Sequence, residues 1–340
     1  MKTLRKTLIM TAFTILVICG CIKEEGDISG KATGTEINFT PTFSVSSAPV
    51  RADLYDQDNI LTEDKGKLTG DFSVIAYRSD TGDKHFLKSE HVYYMHYPAS
   101  ETQEEFGEWR FLKNDAFYER YWPQTYALDF FAYMPYDLAN SNVTIDFEGK
   151  TFSCTQPLNK SGQDRAKEFI YAFEKNQTAQ TDNGNVELVF RHPFAAVNFM
   201  LGEAHGNTTI HSIGLQDISQ GGTFDIYSDT WYLSDQTSTL SIGVERTVGA
   251  AGSAGIQLET MIGGPYLVMP QSTNGVDILV SFTWNSSRKD AIVSIGNGNW
   301  QPGHIYTYKL NLGDNDEDIL ANVSVERWTV VGYKNNIEVE

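Results

Sequence analysis

The chain has 340 residues, a formal net charge of −18 at pH 7 and 41% hydrophobic residues. Its acidity disfavours nucleic acid and anionic lipid surfaces as partners, because both are negatively charged. The length suggests about two domains, and an aromatic content of 12% is ample for packed cores.

The first residues predict export from the cytoplasm. Basic residues at Lys2, Arg5 and Lys6 precede an apolar run over residues 8–17, which is too short to span a bilayer comfortably. Residues 1–21 are therefore predicted to be a signal peptide that is removed from the mature protein.

The end of this signal predicts a lipid anchor. Ile18-Cys19-Gly20-Cys21 resembles the bacterial lipobox, in which the last cysteine carries lipid on its sulfur, so Cys21 is the predicted lipid attachment site. The alternative is an ordinary secretory signal with incidental cysteines. Lys23-Glu24-Glu25 follows and resembles the surface-export signal of Bacteroidetes lipoproteins.

Cysteine use bounds the source of stability. After Cys21 the chain contains only Cys154, so the mature protein cannot form an intrachain disulfide. Stability must therefore come from burial of apolar side chains.

The segment 22–51 combines a well-patterned strand with a protease-like junction. Every odd position from Ile37 to Val45 is apolar or proline, which predicts a strand with one buried face. The apolar members of that face are Ile37, Phe39, Phe43 and Val45. A few residues later, Arg51-Ala52 has the form of a site for an arginine-specific protease.

Alternating apolar residues recur along the rest of the chain, whereas long helical periodicity does not. One predicted strand places Phe72, Val74 and Ala76 on one face. The next strong pattern places Leu128, Phe130, Ala132 and Met134 on one face. Many short strands separated by glycine, asparagine, serine and aspartate predict an all-β chain of antiparallel sandwiches. One short helix is predicted at about residues 164–174.

A polar stretch over residues 174–185 separates two halves of the chain. It predicts a first β-sandwich over residues 52–182 and a second over residues 183–340. Within the second, residues 319–340 are a possible donor strand that pairs with a neighbouring molecule. Its apolar alternating positions are Ile319, Ala321, Val323, Val325, Ile337 and Val339. The alternative is that this segment completes its own domain.

The sequence favours no catalytic or metal site. Ser253 lacks the glycine two residues before it that a nucleophile elbow requires. His85, His91 and His96 are not spaced to share one face of a helix or a strand. Acidic stretches beginning at Asp56 and Asp314 leave weak calcium binding open, with solvated loops as the simpler interpretation. We therefore predict no enzyme activity, no metal site and no cofactor.

A cluster of aromatic residues leaves a binding function open. Trp109, Tyr118, Tyr121 and Trp122 lie close together in the sequence, and exposed aromatic side chains on a sandwich can stack on sugar rings. The simpler interpretation is that they pack in a core or at a seam.

The order of several motifs resembles the fimbrillin-like proteins of Bacteroidetes. The motifs are Tyr121-Trp122-Pro123, LDFFAYMPY, LVFRHPFAAVNFML, GGTFDI, YLVMPQ, QPGHIYTYKLNL and a valine-rich strand ending near Trp328. The resemblance runs from about Ile37 to Trp328. It implies two tandem transthyretin-like antiparallel β-sandwich domains and a role as a stalk or tip subunit of a cell-surface pilus.

The same resemblance implies a maturation pathway. The precursor is anchored in the outer membrane by lipid on Cys21, and cleavage between Arg51 and Ala52 removes the first strand and leaves an apolar groove. The C-terminal strand of another pilus subunit then fills this groove by β-strand addition. The implied partners are other subunits, outer-membrane lipid in the precursor, and a host or bacterial surface glycan or protein, but not nucleic acid. An uncleaved, lipid-anchored glycan-binding protein or pilus anchor is the alternative.

Overall fold

The computed structural model describes residues 32–43, 62–64, 67–69, 71–82, 85–100, 104, 106–138, 141–155, 169–204, 208–248, 260–284, 286–312 and 320–327. The strands of the first part of the chain are β1 Ala32–Glu36, β2 Asn38–Phe43, β3 Thr62–Asp64, β4 Lys67–Thr69, β5 Asp71–Arg78, β6 His85–Tyr97, β7 Phe106–Lys113, β8 Ala116–Tyr118, β9 Tyr121–Pro123, β10 Leu128–Met134, β11 Val143–Asp146, β12 Thr151–Cys154 and β13 Ile170–Gln177. After a 3-10 turn at Thr181–Gly184 follow β14 Asn185–Phe190, β15 Ala195–Ala204, β16 Thr208–Ser219, β17 Gly222–Asp225, β18 Thr230–Leu233, β19 Thr237–Val248, β20 Thr260–Val268, β21 Asp277–Trp284, β22 Ser287–Ser294, β23 His304–Leu312 and β24 Leu320–Arg327.

This element order confirms the predicted all-β class, and most strand pairs are antiparallel. Among the residues described above, no helix is long and apolar enough to cross a membrane.

The first core lies beneath a six-stranded sheet with the order β13-β10-β5-β6-β7-β8. The other wall of this core is formed by two short strand pairs, β2 with β14 and β1 with β9. Side chains of β5 and β10 that were predicted to share a face, including Phe72, Val74, Leu128 and Phe130, all lie in this core.

The second core lies between two four-stranded sheets in the C-terminal half. One has the order β20-β15-β23-β24 and the other the order β19-β16-β21-β22. Val197, Phe199 and Leu201 of β15 alternate into this core, as their period of two requires, and Trp300 closes it with an indole N–H that donates to the Tyr308 hydroxyl at 2.9 Å. The two cores agree with the predicted β-sandwiches, and the transthyretin-like topology stays a prediction.

A third, central core joins the two halves of the chain. It contains Ile75 and Phe131 from the six-stranded sheet together with Phe194, Leu267 and Ile305 from the later strands. A four-stranded sheet with the order β11-β12-β17-β18 covers this core, and it takes two strands from each half of the chain. The halves therefore share both a core and a sheet.

Three neighbouring strands of the six-stranded sheet, from the edge strand β13 through β10 to β5, bury side chains on both faces. On β13, Ile170 and Ala172 face the first core, whereas Tyr171 and Phe173 face the central core. A strand buried on both sides reads as a continuous apolar run without alternation. The helix predicted at residues 164–174 is therefore wrong from residue 170 onward, because Ile170–Gln177 is a strand; residues 164–168 lie outside the described residues.

The strand β14 follows directly after the boundary predicted between residues 182 and 183. Its side chains Val186, Leu188 and Phe190 are completely buried and belong to the first core. The predicted division of the chain stays a prediction, but β14 is structurally part of the first sandwich.

A buried carboxyl group connects the two halves at the edge of the central core. Asp129 of β10 is 4% exposed and accepts hydrogen bonds from the Ser79 hydroxyl at 2.5 Å, the Asn176 backbone N–H at 2.8 Å and the Tyr227 hydroxyl at 2.8 Å. Tyr227 follows β17 in the second half, so this hydrogen bond crosses between the halves. We call this arrangement the Asp129 latch.

The ring of Tyr227 contacts three neighbouring side chains. The ammonium groups of Lys150 and Lys175 each lie 5.0 Å from the ring centroid, and the Phe173 ring packs edge-on at 4.7 Å. Burial, followed by the hydrogen bond to Asp129, raises the pKa of the Tyr227 hydroxyl. The hydroxyl therefore stays protonated and donates a hydrogen bond to the carboxyl group.

The Asp129 latch predicts a measurable stability effect. Tyr227→Phe removes one of three donors from a buried carboxyl group, which should lower the free energy of unfolding by about 1–3 kcal/mol. The measurement is urea denaturation followed by far-UV circular dichroism. Tyr232→Phe is the matched control because Tyr232 is 62% exposed. An equal effect of the two substitutions would show that the latch hydrogen bond contributes nothing specific.

Candidate functional site

The two N-terminal strands, β1 and β2, complete the wall of the first core and lie outside the larger sheets. We call them the N-terminal strand pair, although each is paired with a later strand and not with the other. β1 pairs with β9 in antiparallel orientation, and β2 pairs in parallel with β14 over its whole length. Within the described part of the chain, β2 has no hydrogen-bonded neighbour other than β14. Pro41 has no N–H to donate, and a strand paired on one edge can accommodate it.

The alternating pattern predicted for this segment is confirmed over its described side chains. Ile37 is 2% exposed and Phe39 is 5% exposed, and Pro41 is buried. Asn38 and Thr40, which lie between them, are exposed. One face of the strand therefore seals the first core and the other faces solvent.

Phe39 occupies a pocket made of aromatic rings. Its ring packs edge-on against Phe72 at 5.7 Å, Phe111 at 5.5 Å and Phe130 at 5.9 Å between centroids. These three rings come from β5, β7 and β10, so one side chain of β2 contacts half of the strands in the six-stranded sheet. Edge-to-face pairs add to the free energy gained from burial itself.

The opposite side of this pocket is formed by β14. Val186, Leu188 and Phe190 are completely buried, and the Phe190 ring lies 5.8 Å from that of Phe72. We call the space between β14 and the six-stranded sheet, which Ile37 and Phe39 fill, the groove. Removal of β1 and β2 would expose the apolar lining of the groove to water, at about 25 cal/mol per Å² of apolar surface.

The start of the strand pair fits tightly against the turn that precedes β14. Gly184 has a φ of +88°, and a Cβ there would lie 2.6 Å from Thr35 Cγ2 and 2.8 Å from the carbonyl oxygen of Glu36. The Gly184 carbonyl accepts a hydrogen bond from the buried Trp122 indole at 2.9 Å. Only glycine meets both requirements. The sequence shows Gly184 simply as part of a polar linker, so its role was not predicted.

Two further hydrogen bonds hold the strand pair. The Ile37 N–H donates to the Arg120 carbonyl at 2.8 Å, and the Thr40 hydroxyl donates to the Asn185 side-chain oxygen at 3.0 Å. Both partners belong to the walls of the groove rather than to the N-terminal segment itself. The strand pair is thus attached to the main fold through a limited set of noncovalent contacts.

Glu36 is an unfavourable residue at this position. Partial burial raises the pKa of its carboxyl group above the ordinary value of 4.5; the nearby Glu119 and Glu108 carboxylates raise it further, and Arg110 opposes them. In the register of β1, Glu36 lies opposite Tyr121, whose hydroxyl hydrogen-bonds to Glu119. Ionised Glu36 therefore weakens attachment of the strand pair.

Other predicted site residues lie outside the described side chains. Cys21, Val45, Arg51, Ala52, Ile319, Ile337 and Val339 lie outside the described residues, and Phe43 is the last residue of β2. The maturation and lipid sites therefore stay predictions.

The C-terminal segment is partly engaged within its own sandwich. Ala321, Val323 and Val325 lie on β24, where they pair with Leu310, Tyr308 and Tyr306 of β23. β24 is the last strand of its sheet. Within this molecule β24 therefore pairs with β23 and not with the groove, and residues 328–340 lie outside the described residues.

The aromatic cluster considered as a sugar-binding surface is mostly core. Trp122 is completely buried, and Trp109 and Tyr118 pack against the first core. Trp109 and Tyr118 are half-buried, and Tyr121 is the most exposed member at 38%. The interpretation as core residues is therefore correct for three of the four.

Two of the three histidines considered as metal ligands have separate hydrogen-bond partners. His85 contacts the Phe147 carbonyl at 3.3 Å, whereas His91 hydrogen-bonds to Asp71 at 3.0 Å. No group of three histidine, cysteine or acidic side chains suited to a metal ion occurs among the residues that the structure describes.

The fold and the groove define a class of protein: a β-sandwich protein whose first core is completed by a strand that precedes the body of the fold. Residues 70–328 match the sequence profile of the fimbrillin-like family. This match covers more than half of the chain, so the chain belongs to the fimbrillin-like family. No curated protein matches the chain.

The chain is similar to several solved structures, of which the first below supports the fold assignment. A fimbrial protein from Bacteroides vulgatus ATCC 8482 has a TM-score of 0.53 and 14% identity, covering 86% of this chain and 99% of its own. A proposed cell adhesion protein from Bacteroides ovatus ATCC 8483 has a TM-score of 0.49 and 16% identity, covering 87% and 98%. The tip fimbrial protein Mfa3 from Porphyromonas gingivalis, with a C-terminal truncation, has a TM-score of 0.39 and 11% identity, covering 79% and 98%.

Family membership confirms the resemblance seen in the motifs. It implies a fimbrial or cell-adhesion role at the cell surface and association with other pilus subunits, and it suggests a role other than catalysis.

The groove predicts a large effect of its central side chain. Phe39→Ala deletes a ring that contacts three others, which should lower the free energy of unfolding of the full chain by about 3–5 kcal/mol. Thermal denaturation or urea titration measures it. Asn38→Ala, on the exposed face of the same strand, is the control and should change stability by less than about 0.5 kcal/mol. Similar values for both would mean that β2 does not seal the core.

Glu36 predicts a pH-dependent effect. Because the pKa of Glu36 is raised in the folded state, its protonated carboxyl group favours folding at pH values below the unfolded-state pKa. This contribution to stability is lost as the pH rises through the folded-state pKa. Glu36→Gln should therefore raise the melting temperature at pH 7 and leave it unchanged near pH 4, measured by differential scanning calorimetry. A gain of the same size at both pH values would contradict the electrostatic cause.

Proposed function

We propose that this chain is a stalk or tip subunit of a cell-surface fimbrium, exported as a lipoprotein, matured by cleavage after Arg51 and polymerised by donor-strand exchange. The observation that carries this proposal is the groove. The N-terminal segment supplies Ile37 and Phe39 to the first core, and the described contacts that join it to the walls are strand pairing, two further hydrogen bonds and packing of these side chains.

The order of features along the sequence makes one cut sufficient. Cys21 precedes β1, and Arg51 follows β2. A cut after Arg51 therefore separates the lipid and both strands from the rest of the chain in a single step. After that cut, only noncovalent contacts retain the strand pair in the groove.

An opened groove would be a strong acceptor for an extended segment. β14 would offer an unpaired edge, and the aromatic pocket would offer a place for an apolar side chain. β-strand addition combines these two contributions, because main-chain hydrogen bonds supply affinity and alternating side chains fix the register. A head-to-tail contact of this kind does not close on itself and therefore extends into a filament.

We assign the donor strand to residues 319–340. Pairing of Ala321, Val323 and Val325 within β24 favours the part after Arg327, where Ile337 and Val339 alternate in the manner of Ile37 and Phe39. Apolar residues at alternate positions are what the groove accepts from β2.

Limited proteolysis of the purified precursor tests the proposal. Trypsin should cut first after Arg51, the new N-terminus should be Ala52, and filaments should follow in electron micrographs. Arg51→Gln should stay monomeric. Lys31→Gln is the matched control and should still polymerise, because a cut after Lys31 would leave β1 and β2 attached.

Two outcomes would contradict the proposal. One is a precursor that is cut after Arg51, loses residues up to 51 and yet stays monomeric. The other is surface protein that begins at lipidated Cys21, which would identify an uncleaved anchor or binding lipoprotein instead. Deletion of residues 328–340 separates the donor assignment from cleavage, since it should block filaments and leave the cut unchanged.

A further inference from the structure

The solvent face of β6 carries an unusual run of aromatic side chains. Val92 of this strand is completely buried in the first core, so its neighbours His91 and Tyr93 point to the opposite face, and Met95 and Tyr97 follow at the same period. Tyr93 is 42% exposed. The outer face of a sheet is normally polar, and a contiguous apolar surface there indicates an interaction site.

Neighbouring elements extend this run. Tyr136, which follows β10 and is 41% exposed, stacks on the His91 ring with 3.8 Å between centroids and 9° between planes. Phe106 of β7 stacks on Tyr97 with 4.5 Å and 7°. We call His91, Tyr93, Tyr97, Phe106 and Tyr136 the aromatic strip; the β6 residues from 91 to 97 alone extend for about 20 Å.

The aromatic strip is held in place by polar contacts along its border. The His91 ring hydrogen-bonds to the Asp71 carboxylate at 3.0 Å, and the Tyr97 hydroxyl donates to Glu108 at 3.0 Å. Arg110 pairs with the same Glu108 oxygen at 3.1 Å. Side chains fixed in this way lose little conformational freedom when a ligand binds.

These contacts also determine which ligand suits the strip. Glu108 is compensated by Arg110, and Asp71 is engaged by His91, so the border offers hydrogen-bonding groups without an uncompensated basic residue. The chain as a whole has a net charge of −18, which opposes an anionic ligand. The matching ligand has flat apolar faces, many hydroxyl groups and no charge.

We propose that the aromatic strip binds a neutral polysaccharide. The C–H faces of successive sugar rings would stack on Tyr93 and Tyr136, and their hydroxyl groups would hydrogen-bond to the tyrosine hydroxyls and to Asp71 and Glu108. An extended strip fits a chain of sugars better than a single sugar. This surface lies on the face of β6 opposite Val92 and the groove, so binding does not require cleavage or polymerisation.

Affinity electrophoresis of the uncleaved chain in native gels tests this proposal. The gels contain mixed-linkage β-glucan, arabinoxylan, galactomannan or glycogen as neutral probes, and heparin or alginate as anionic ones. At least one neutral polysaccharide should retard the wild-type chain. Tyr93→Ala and Tyr136→Ala should each weaken that binding by about tenfold.

The controls keep folding and binding apart. Tyr232→Ala removes a more exposed tyrosine, 62% accessible, from a different sheet and should leave retardation unchanged. Tyr93→Trp keeps a stacking ring and should retain binding. Melting temperatures of all variants identify any that fail to fold.

Several results would overturn the proposal. These are no retardation by any neutral probe, retardation by the anionic probes alone, or unchanged binding in folded Tyr93→Ala and Tyr136→Ala variants. If the wild type binds no polysaccharide and the two variants fail to form filaments, the strip packs subunits together instead. Because the test uses the uncleaved monomer, its failure leaves the proposed assembly mechanism standing.

Discussion

The structure depends on one sheet that is buried on both faces. The three neighbouring strands β13, β10 and β5 send alternate side chains into the first core and into the central core, so the six-stranded sheet is a wall of each. Phe130 and Phe131 are consecutive residues of β10, and they face different cores. Any change that loosens this sheet therefore affects the groove and the junction between the halves together.

The groove differs from the other cores in how it is closed. Each face of the C-terminal core is covered by a four-stranded sheet, whereas β2 covers its part of the first core with pairing to β14 alone. The strand is well buried on one face and is paired along one edge. Its aromatic contacts favour retention, and the ionised Glu36 beside Glu119 and Glu108 opposes it. These opposing contributions are what the proposed donor-strand exchange would require of a strand that is first retained and later replaced.

Much of the fold could be predicted from the alternation of apolar side chains along the strands. The alternation of Ile37 and Phe39, of Val186 and Leu188, and of Val197 and Phe199 identifies their strands and their buried faces, because the side-chain period is two. The same reasoning fails for Ile170–Gln177, because burial on both faces removes the alternation.

The walls of the groove could not be predicted from the sequence, because they depend on contacts between distant residues. Phe72, Phe111, Phe130 and Phe190 look like ordinary core residues until the fold brings them around Phe39. Parallel pairing of β2 with β14 joins segments that lie far apart in the sequence, and local sequence patterns do not predict such pairing. Gly184 likewise resembles a linker glycine, since its constraint arises from Thr35 and Glu36. The aromatic strip joins residues of β6, of β7 and of the segment after β10, whereas the tryptophan-rich sequence between Trp109 and Trp122 supplies mostly buried or half-buried side chains.

The positions of the groove and the Asp129 latch suggest how a subunit of a filament bears load. A strand docked in the groove would pull on β14 and on the six-stranded sheet that carries Phe72 and Phe130. From that sheet the force reaches the second half through the central core and through the hydrogen bond between Asp129 and Tyr227. In the proposed filament, the donor segment would follow β24, which is paired with β23. The path from acceptor groove to donor strand would then cross the junction between the halves, which combines a shared core, a shared sheet and a buried polar contact.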